Sequence, residues 1–222
     1  MWVALNSTQL AMGSGDEASQ NYRLDEVEFT QKLSRWGTVK KTIFAPFLSQ
    51  YQPQNIVLAL DQNLTSGLLT DLASTLTTPT RDPEYAPQLS LLAQNPRGAL
   101  LTRADHQPTL VLIPFELSLI HRRNIKRTLL ISWSSRSLTF SVPRTRSRSV
   151  RGIKKFKVSR RALITDPTKI RAQLKELLAS YRSVQKMTLA PQRLTPMNEI
   201  MKVIEFCDAL PITIIPPPLK VR

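Results

Sequence analysis

Thr128-Leu-Leu-Ile-Ser-Trp-Ser-Ser-Arg-Ser-Leu-Thr-Phe-Ser-Val142 is the stretch whose reading decides the fold. Two runs, Thr128 to Trp133 and Leu138 to Val142, are rich in β-branched and aromatic residues. They flank Ser134-Ser135-Arg136-Ser137, so the pattern predicts a β-hairpin. Ile153 to Val158 reads as a further strand with Lys and Arg on its solvent side. Asp166-Pro167 then opens a helix. Asp166 can accept from the first-turn amides, and Pro167 sits where a missing N–H costs nothing. Ile170, Leu174, Leu177, Leu178 and Tyr181 form that helix's core stripe. Thr195-Pro196 opens a second helix in the same way. It is apolar nearly all round (Met197, Ile200, Met201, Val203, Ile204, Phe206) and is expected to be central. Ile212 to Ile215 reads as a last strand, ended by Pro216 to Pro218.

Toward the N-terminus the pattern is weaker. Residues 1 to 20 are small and polar and are expected to form a flexible tail. Asp25 to Trp36 reads as a short helix stopped by Gly37. Asn55 to Leu60 suits a buried strand. From Asn63 to Leu76 the leucines at 64, 68, 72 and 76 predict an amphipathic helix. Thr77 to Pro87 reads as a loop and Leu89 to Ala93 as a helical turn. Gly98 to Thr102 and Thr109 to Ile113 read as strands. There is no visible internal repeat. Helices and strands mix without strict βαβ alternation, which gives α+β, with α/β second. The expectation is mixed helices and β-hairpins around one core over 21–222, near-neutral in 21–116 and basic in 117–222.

The charge is lopsided. The chain carries +15 net over 222 residues, yet residues 1 to 100 hold seven basic and nine acidic side chains. The imbalance therefore lies in the second half, and Leu117 to Thr165 contains no Asp or Glu. Its cations fall into clusters: Arg122, Arg123, Lys126 and Arg127; then Arg136 in the hairpin turn; then Arg144, Arg146, Arg148 and Arg151; then Lys154, Lys155, Lys157, Arg160 and Arg161. Such a one-signed surface points to a polyanionic partner. Arg outnumbers Lys, which suits bidentate phosphate contacts and stacking on bases. Trp133, Phe140 and Phe156 are available either as stacking platforms or as core. A basic run can also serve as an import signal or a membrane-surface patch. The Arg-Ser run 144–149 is a candidate for phosphorylation, which would oppose phosphate binding.

Other chemistry is sparse. One cysteine, Cys207, permits no intrachain disulfide and fits a reducing compartment. Inside an apolar helix it reads as a buried structural thiol. Two histidines, His106 and His121, cannot assemble a zinc site with it. There is no phosphate loop, helix-turn-helix, zinc finger or heptad zipper. No secretory signal and no apolar run of membrane-spanning length is present, so the expected location is cytoplasmic or nuclear. Few glycines with abundant Leu, Ser, Thr, Arg and Pro also suit a viral accessory protein.

Asn55-Ile-Val-Leu-Ala-Leu-Asp61-Gln-Asn63, followed by Gly67 and a Leu-rich helix, is similar to the strand–turn–helix of TOPRIM domains. There an Asp-x-Asp at the strand end helps hold Mg²⁺. The resemblance covers about twenty residues and implies a metal-dependent nucleic-acid enzyme using Asp61. Here Asn63 replaces the second acid, and the alternative role for Asp61 is to cap the helix. The leading expectation is a non-enzymatic nucleic-acid-binding protein, RNA favoured over DNA, with no cofactor. The alternative is an adaptor whose basic face docks an acidic protein partner, with Pro211 to Pro218 as a second contact.

Overall fold

A computed structural model describes residues 1–5, 9–13, 20–23, 44–77, 85–94, 110–117, 128–142, 155–181, 184–207 and 210–216. The chain divides into two compact units, Met1–Phe115 and Glu116–Arg222, where a single domain was expected. The boundary falls on the charge boundary. The first unit holds eight basic and ten acidic residues, and the second twenty-three and six. The units carry net charges of −2 and +17.

In the first unit, β1 (Trp2–Leu5), β2 (Gln9–Gly13) and β3 (Gln20–Arg23) form an antiparallel meander. Within the expected N-terminal tail, Trp2–Leu5 and Gln9–Gly13 are therefore strand. Its alternation explains why: Val3, Leu5, Leu10 and Met12 are all buried. Ala4, Ala11 and Gly13 on the other face hide this period-2 pattern from a composition-based reading. Trp2 pairs with Gly13, and the indole lies where a glycine Cβ would be, within 2.8 Å. Helix α1 (Ala45–Tyr51) precedes β4 (Asn55–Leu60), which runs parallel to β1. Helix α2 (Ser66–Thr77) leads to β5 (Gln88–Gln94), parallel to β4, and β6 (Leu110–Leu117) returns antiparallel to β5. Thr70, Thr75 and Thr77 satisfy their hydroxyls on carbonyls one turn back in α2, which lets threonine sit in a half-buried helix. Leu89 to Ala93, expected as a helical turn, is strand. Leu89 and Leu91 point inward while pairing with β4 fixes the extended backbone.

The second unit repeats this topology. β7 (Thr128–Trp133), β8 (Ser137–Ser141) and β9 (Lys155–Ser159) form the antiparallel meander. A short helix α3 (Ala162–Thr165) and α4 (Pro167–Ser180) lead to β10 (Lys186–Ala190), parallel to β7. Helix α5 (Met197–Phe206) leads to β11 (Ile212–Ile214), parallel to β10. The strand order β3-β2-β1-β4-β5 in one unit is matched by β9-β8-β7-β10-β11 in the other. The equivalence extends to single hydrogen bonds. The turn bond Leu64 N–H to Asp61 O recurs as Thr195 N–H to Gln192 O. The helix-opening bonds from Leu68 and Leu69 to Thr65 O recur from Glu199 and Ile200 to Pro196 O. Buried Leu69, Leu72, Ala73 and Leu76 then match Ile200, Val203, Ile204 and Cys207.

Mixed helices and sheet agree with the α+β expectation, although β4-α2-β5 and β10-α5-β11 are each parallel crossovers. The hairpin at 128–142, the strand before Arg160 and both C-terminal helices stand where the sequence puts them. Two details differ. Asp166 precedes α4 without a side-chain capping bond. Helix α5 is amphipathic, with Met197, Ile200, Val203 and Ile204 buried and Met201, Lys202 and Phe206 half-buried. The expected helix at 25–36 and strand at 98–102 lie outside the described residues.

Replacing Leu174, which is 2% exposed, with Ala is expected to cost about 2–5 kcal/mol in urea unfolding. Replacing Ile164, which is 65% exposed, is expected to change stability by less than ~0.5 kcal/mol.

Candidate nucleic-acid interface

Of the fourteen cations singled out in the sequence, Arg136, Lys155, Lys157, Arg160 and Arg161 belong to described residues. Arg122, Arg123, Lys126, Arg127, Arg144, Arg146, Arg148, Arg151 and Lys154 lie outside them. β9 is the outermost strand of its meander, and its residues alternate between two faces. Phe156 is buried, whereas Lys155 and Lys157 are exposed on the opposite face. Lysines at such positions also blunt an unpaired strand edge. The β8–β9 register sets Ser141 across from Lys155 and Thr139 across from Lys157. β7 contributes Ser132 opposite Thr139. All three hydroxyl residues are half-buried. The outer face of the meander thus carries hydroxyls edged by lysines, with half-buried Leu130 opposite Ser141.

Arg136 sits exposed in the β7–β8 turn. Its carbonyl accepts from the Arg160 amide at 3.1 Å, which brings the end of β9 beside that turn. Arg160 itself is engaged differently from the other four. Its Nε lies 2.9 Å from Glu199 Oε2 and its guanidinium Nη2 lies 2.8 Å from Oε1, a bidentate pair. The acid-free stretch therefore receives one carboxylate from the first turn of α5. Arg136, Lys155, Lys157 and Arg161 make no ion pair among the described residues. Arg171 pairs with Glu205 at 3.3 Å and lies over the Phe206 ring at 5.4 Å.

The aromatic residues considered as stacking platforms are core. Phe140 and Phe156 stack on one another at 4.6 Å, and Trp133 is 6% exposed. The chain joining β8 to β9, 142–154, is thirteen residues long and carries the Arg-Ser run. Its counterpart between β2 and β3, 14–19, is six. The sequence missed Glu199, whose only signal was an acid in a helix's first turn.

At the other singled-out site, Asp61 Oδ1 accepts from the Asn63 amide at 2.7 Å. The carboxylate closes the turn between β4 and α2 rather than capping the helix. Among the described residues no three His, Cys, Asp or Glu side chains converge as a metal site would require. Cys207 is buried, and burial pushes its thiol up to about 12. No helix among the described residues is long and apolar enough to cross a membrane. No known protein family matches the sequence, and neither a curated protein nor a solved structure matches it.

Replacing Glu199 with Gln is expected to lower stability by about 1 kcal/mol in urea melts, because it breaks a half-buried bidentate pair. Cys207 is expected to resist a thiol reagent at pH 8 in the native chain and to react fully in denaturant. The unfolded thiol ionises near its ordinary 9.0 while the folded one keeps its proton to about 12. The unfolded state then binds fewer protons, so stability falls as pH rises through that window.

Proposed function

We propose that the protein binds nucleic acid, RNA in preference to DNA, through the phosphate backbone, and that the second unit carries the contact. The observation that supports this reading most directly is the segregation of charge. Net +17 lies in one unit while its topological twin carries −2. Exposed Lys155 and Lys157 lie on one face of β9, and neither has an acidic partner among the described residues. Each phosphate neutralised by Lys or Arg releases condensed counterions, which supplies sequence-independent affinity. The Arg-Ser run in the sequence joining β8 to β9 adds further cations. RNA is favoured because Arg-rich segments suit structured RNA and no DNA-reading motif occurs in the sequence.

The test is a fluorescence-anisotropy titration of the full chain against RNA and DNA over a salt series. Micromolar or tighter binding that weakens steeply with salt is the expected result. Replacing Arg144, Arg146 and Arg148 together with Ala should weaken binding across all sequences and flatten the salt slope by about three. No binding at ~50 mM salt would overturn the reading. The same basic face would then be read as docking an acidic protein.

A further inference from the structure

We propose that the outer face of the β7–β8–β9 meander seats double-stranded RNA across its minor groove, gripping phosphates and 2′-hydroxyls without stacking on bases. This rests on the nucleic-acid reading above and names its ligand. Three observations carry it.

The first is a complete accounting of aromatic side chains. The second unit contains five Phe, Trp and Tyr residues, namely Trp133, Phe140, Phe156, Tyr181 and Phe206, and all five are described. The first four are buried. Phe206 is half-buried with the Arg171 guanidinium over its ring. Proteins that hold single strands stack successive bases on exposed aromatic rings. This unit offers no free Phe, Trp or Tyr for that purpose, which favours holding a nucleic acid by its backbone. A duplex keeps its bases stacked within itself and presents only backbone and groove.

The second observation is the shape and chemistry of the face. Ser132, Thr139 and Ser141 are short side chains on a sheet surface that also holds half-buried Leu130, and Lys155 and Lys157 stand beside them about 6.6 Å apart along the strand. A broad sheet face does not enter the B-DNA major groove, which admits a helix or a two-stranded ribbon. The wide, shallow minor groove of A-form RNA suits it, and that groove displays 2′-hydroxyls. Ser141 already donates to the Leu130 carbonyl at 3.4 Å and keeps its acceptor capacity, and serine and threonine hydroxyls can in general both donate to and accept from such groups.

The third observation is the twin unit. Pairing registers place Ala4, Ala11, Gly13 and Asn21 where the second unit has Ser132, Thr139, Ser141 and Lys157. The same scaffold is built with small or neutral residues there, so the fold does not require the hydroxyls or the lysine. At Gly13 the difference follows from Trp2, whose indole fills the space that Leu130 leaves to Ser141; a ligand on this face would account for the hydroxyls and lysine that remain.

The experiment titrates the full chain with a duplex RNA of about 20 bp, each of its single strands, and duplex DNA of the same sequence, over a KCl series. Duplex RNA should bind tightest, and the two single strands should bind more weakly and equally. Lys155→Ala with Lys157→Ala should lower the duplex RNA salt slope by about two, one per lysine. The urea midpoint should not move, because both side chains are exposed. Thr139→Ala, which copies Ala11, should weaken duplex RNA and leave duplex DNA unchanged. Tighter binding to single strands would overturn this inference while leaving nucleic-acid binding intact. Equal or tighter binding to duplex DNA would overturn the choice of RNA. A slope indifferent to the lysine pair would overturn the face. No binding to any probe at ~50 mM salt would overturn this inference and the nucleic-acid reading together.

Discussion

The parallel pairing of β7 with β10 is the constraint on which the second unit depends. A parallel neighbour cannot be reached by a tight turn, so the chain must leave β9, cross over through α3 and α4, and return. That crossover makes β7 an interior strand, with β8 on one side and β10 on the other. Leu129, Ile131 and Trp133 are buried, and with Ile170, Leu174 and Leu177 of α4 they supply much of the apolar core. On the opposite face the two central strands meet through hydroxyls. Thr128 and Thr188 lie 2.8 Å apart, and Thr128 also donates to the Lys186 carbonyl. Burying two threonines is tolerable because each has a partner. With most of its apolar side chains committed to one face, the meander leaves its other face to Ser, Thr and Lys around a half-buried Leu130.

The first unit obeys the same constraint through β1 and β4. Its N-terminal residues are therefore among the most consequential in the chain. Val3 is fully buried, and the Leu5 carbonyl accepts from Asp61 at 2.9 Å, just before the turn into α2. The carboxylate of Asp61 then tightens that turn. The residue that drew a metal-binding comparison has a local structural task in a turn that the second unit builds with Gln192 and Thr195 instead.

Much of the second unit was legible because its signals are strong and local. Alternating Phe156 with Lys155 and Lys157, and placing Asp166-Pro167 before a leucine stripe, leaves little room for another reading. The first unit was harder. Trp2-Val-Ala-Leu and Gln9-Leu-Ala-Met-Gly alternate correctly, but Ala4, Ala11 and Gly13 on the outer face make the strands look like a tail. The duplication was hidden for a related reason. What the units share is a pattern of buried positions, such as Val3 with Ile131 and Met12 with Phe140, rather than residue identity. The one short match, Gln62-x-Leu-Thr65 against Gln192-x-Leu-Thr195, is a residue out of step with the hydrogen bonds that truly correspond. Of the interface, total charge and the solvent side of β9 could be read directly. The engagement of Arg160 by Glu199 could not, because it depends on two residues thirty-nine positions apart meeting through the fold.

Charge and fold are separable here, and that separation is what gives the basic face its meaning. A surface rich in lysine is commonly only a solvated edge, and β9 is an outermost strand of its meander. Edge protection alone would be served by one or two charges of either sign. It does not explain why one of two units built on one topology is strongly basic while its counterpart is nearly neutral. Nor does it explain a β8–β9 connection longer than its counterpart and filled with arginine, or hydroxyls at positions where the counterpart has Ala4, Ala11 and Gly13. Like-charge repulsion of this size works against compactness. Among the described residues it is relieved where Glu199 and Glu205 each take one arginine. On the reading proposed above, the remaining excess would be offset by an anion that brings many charges at regular spacing, which is the character of a nucleic-acid backbone.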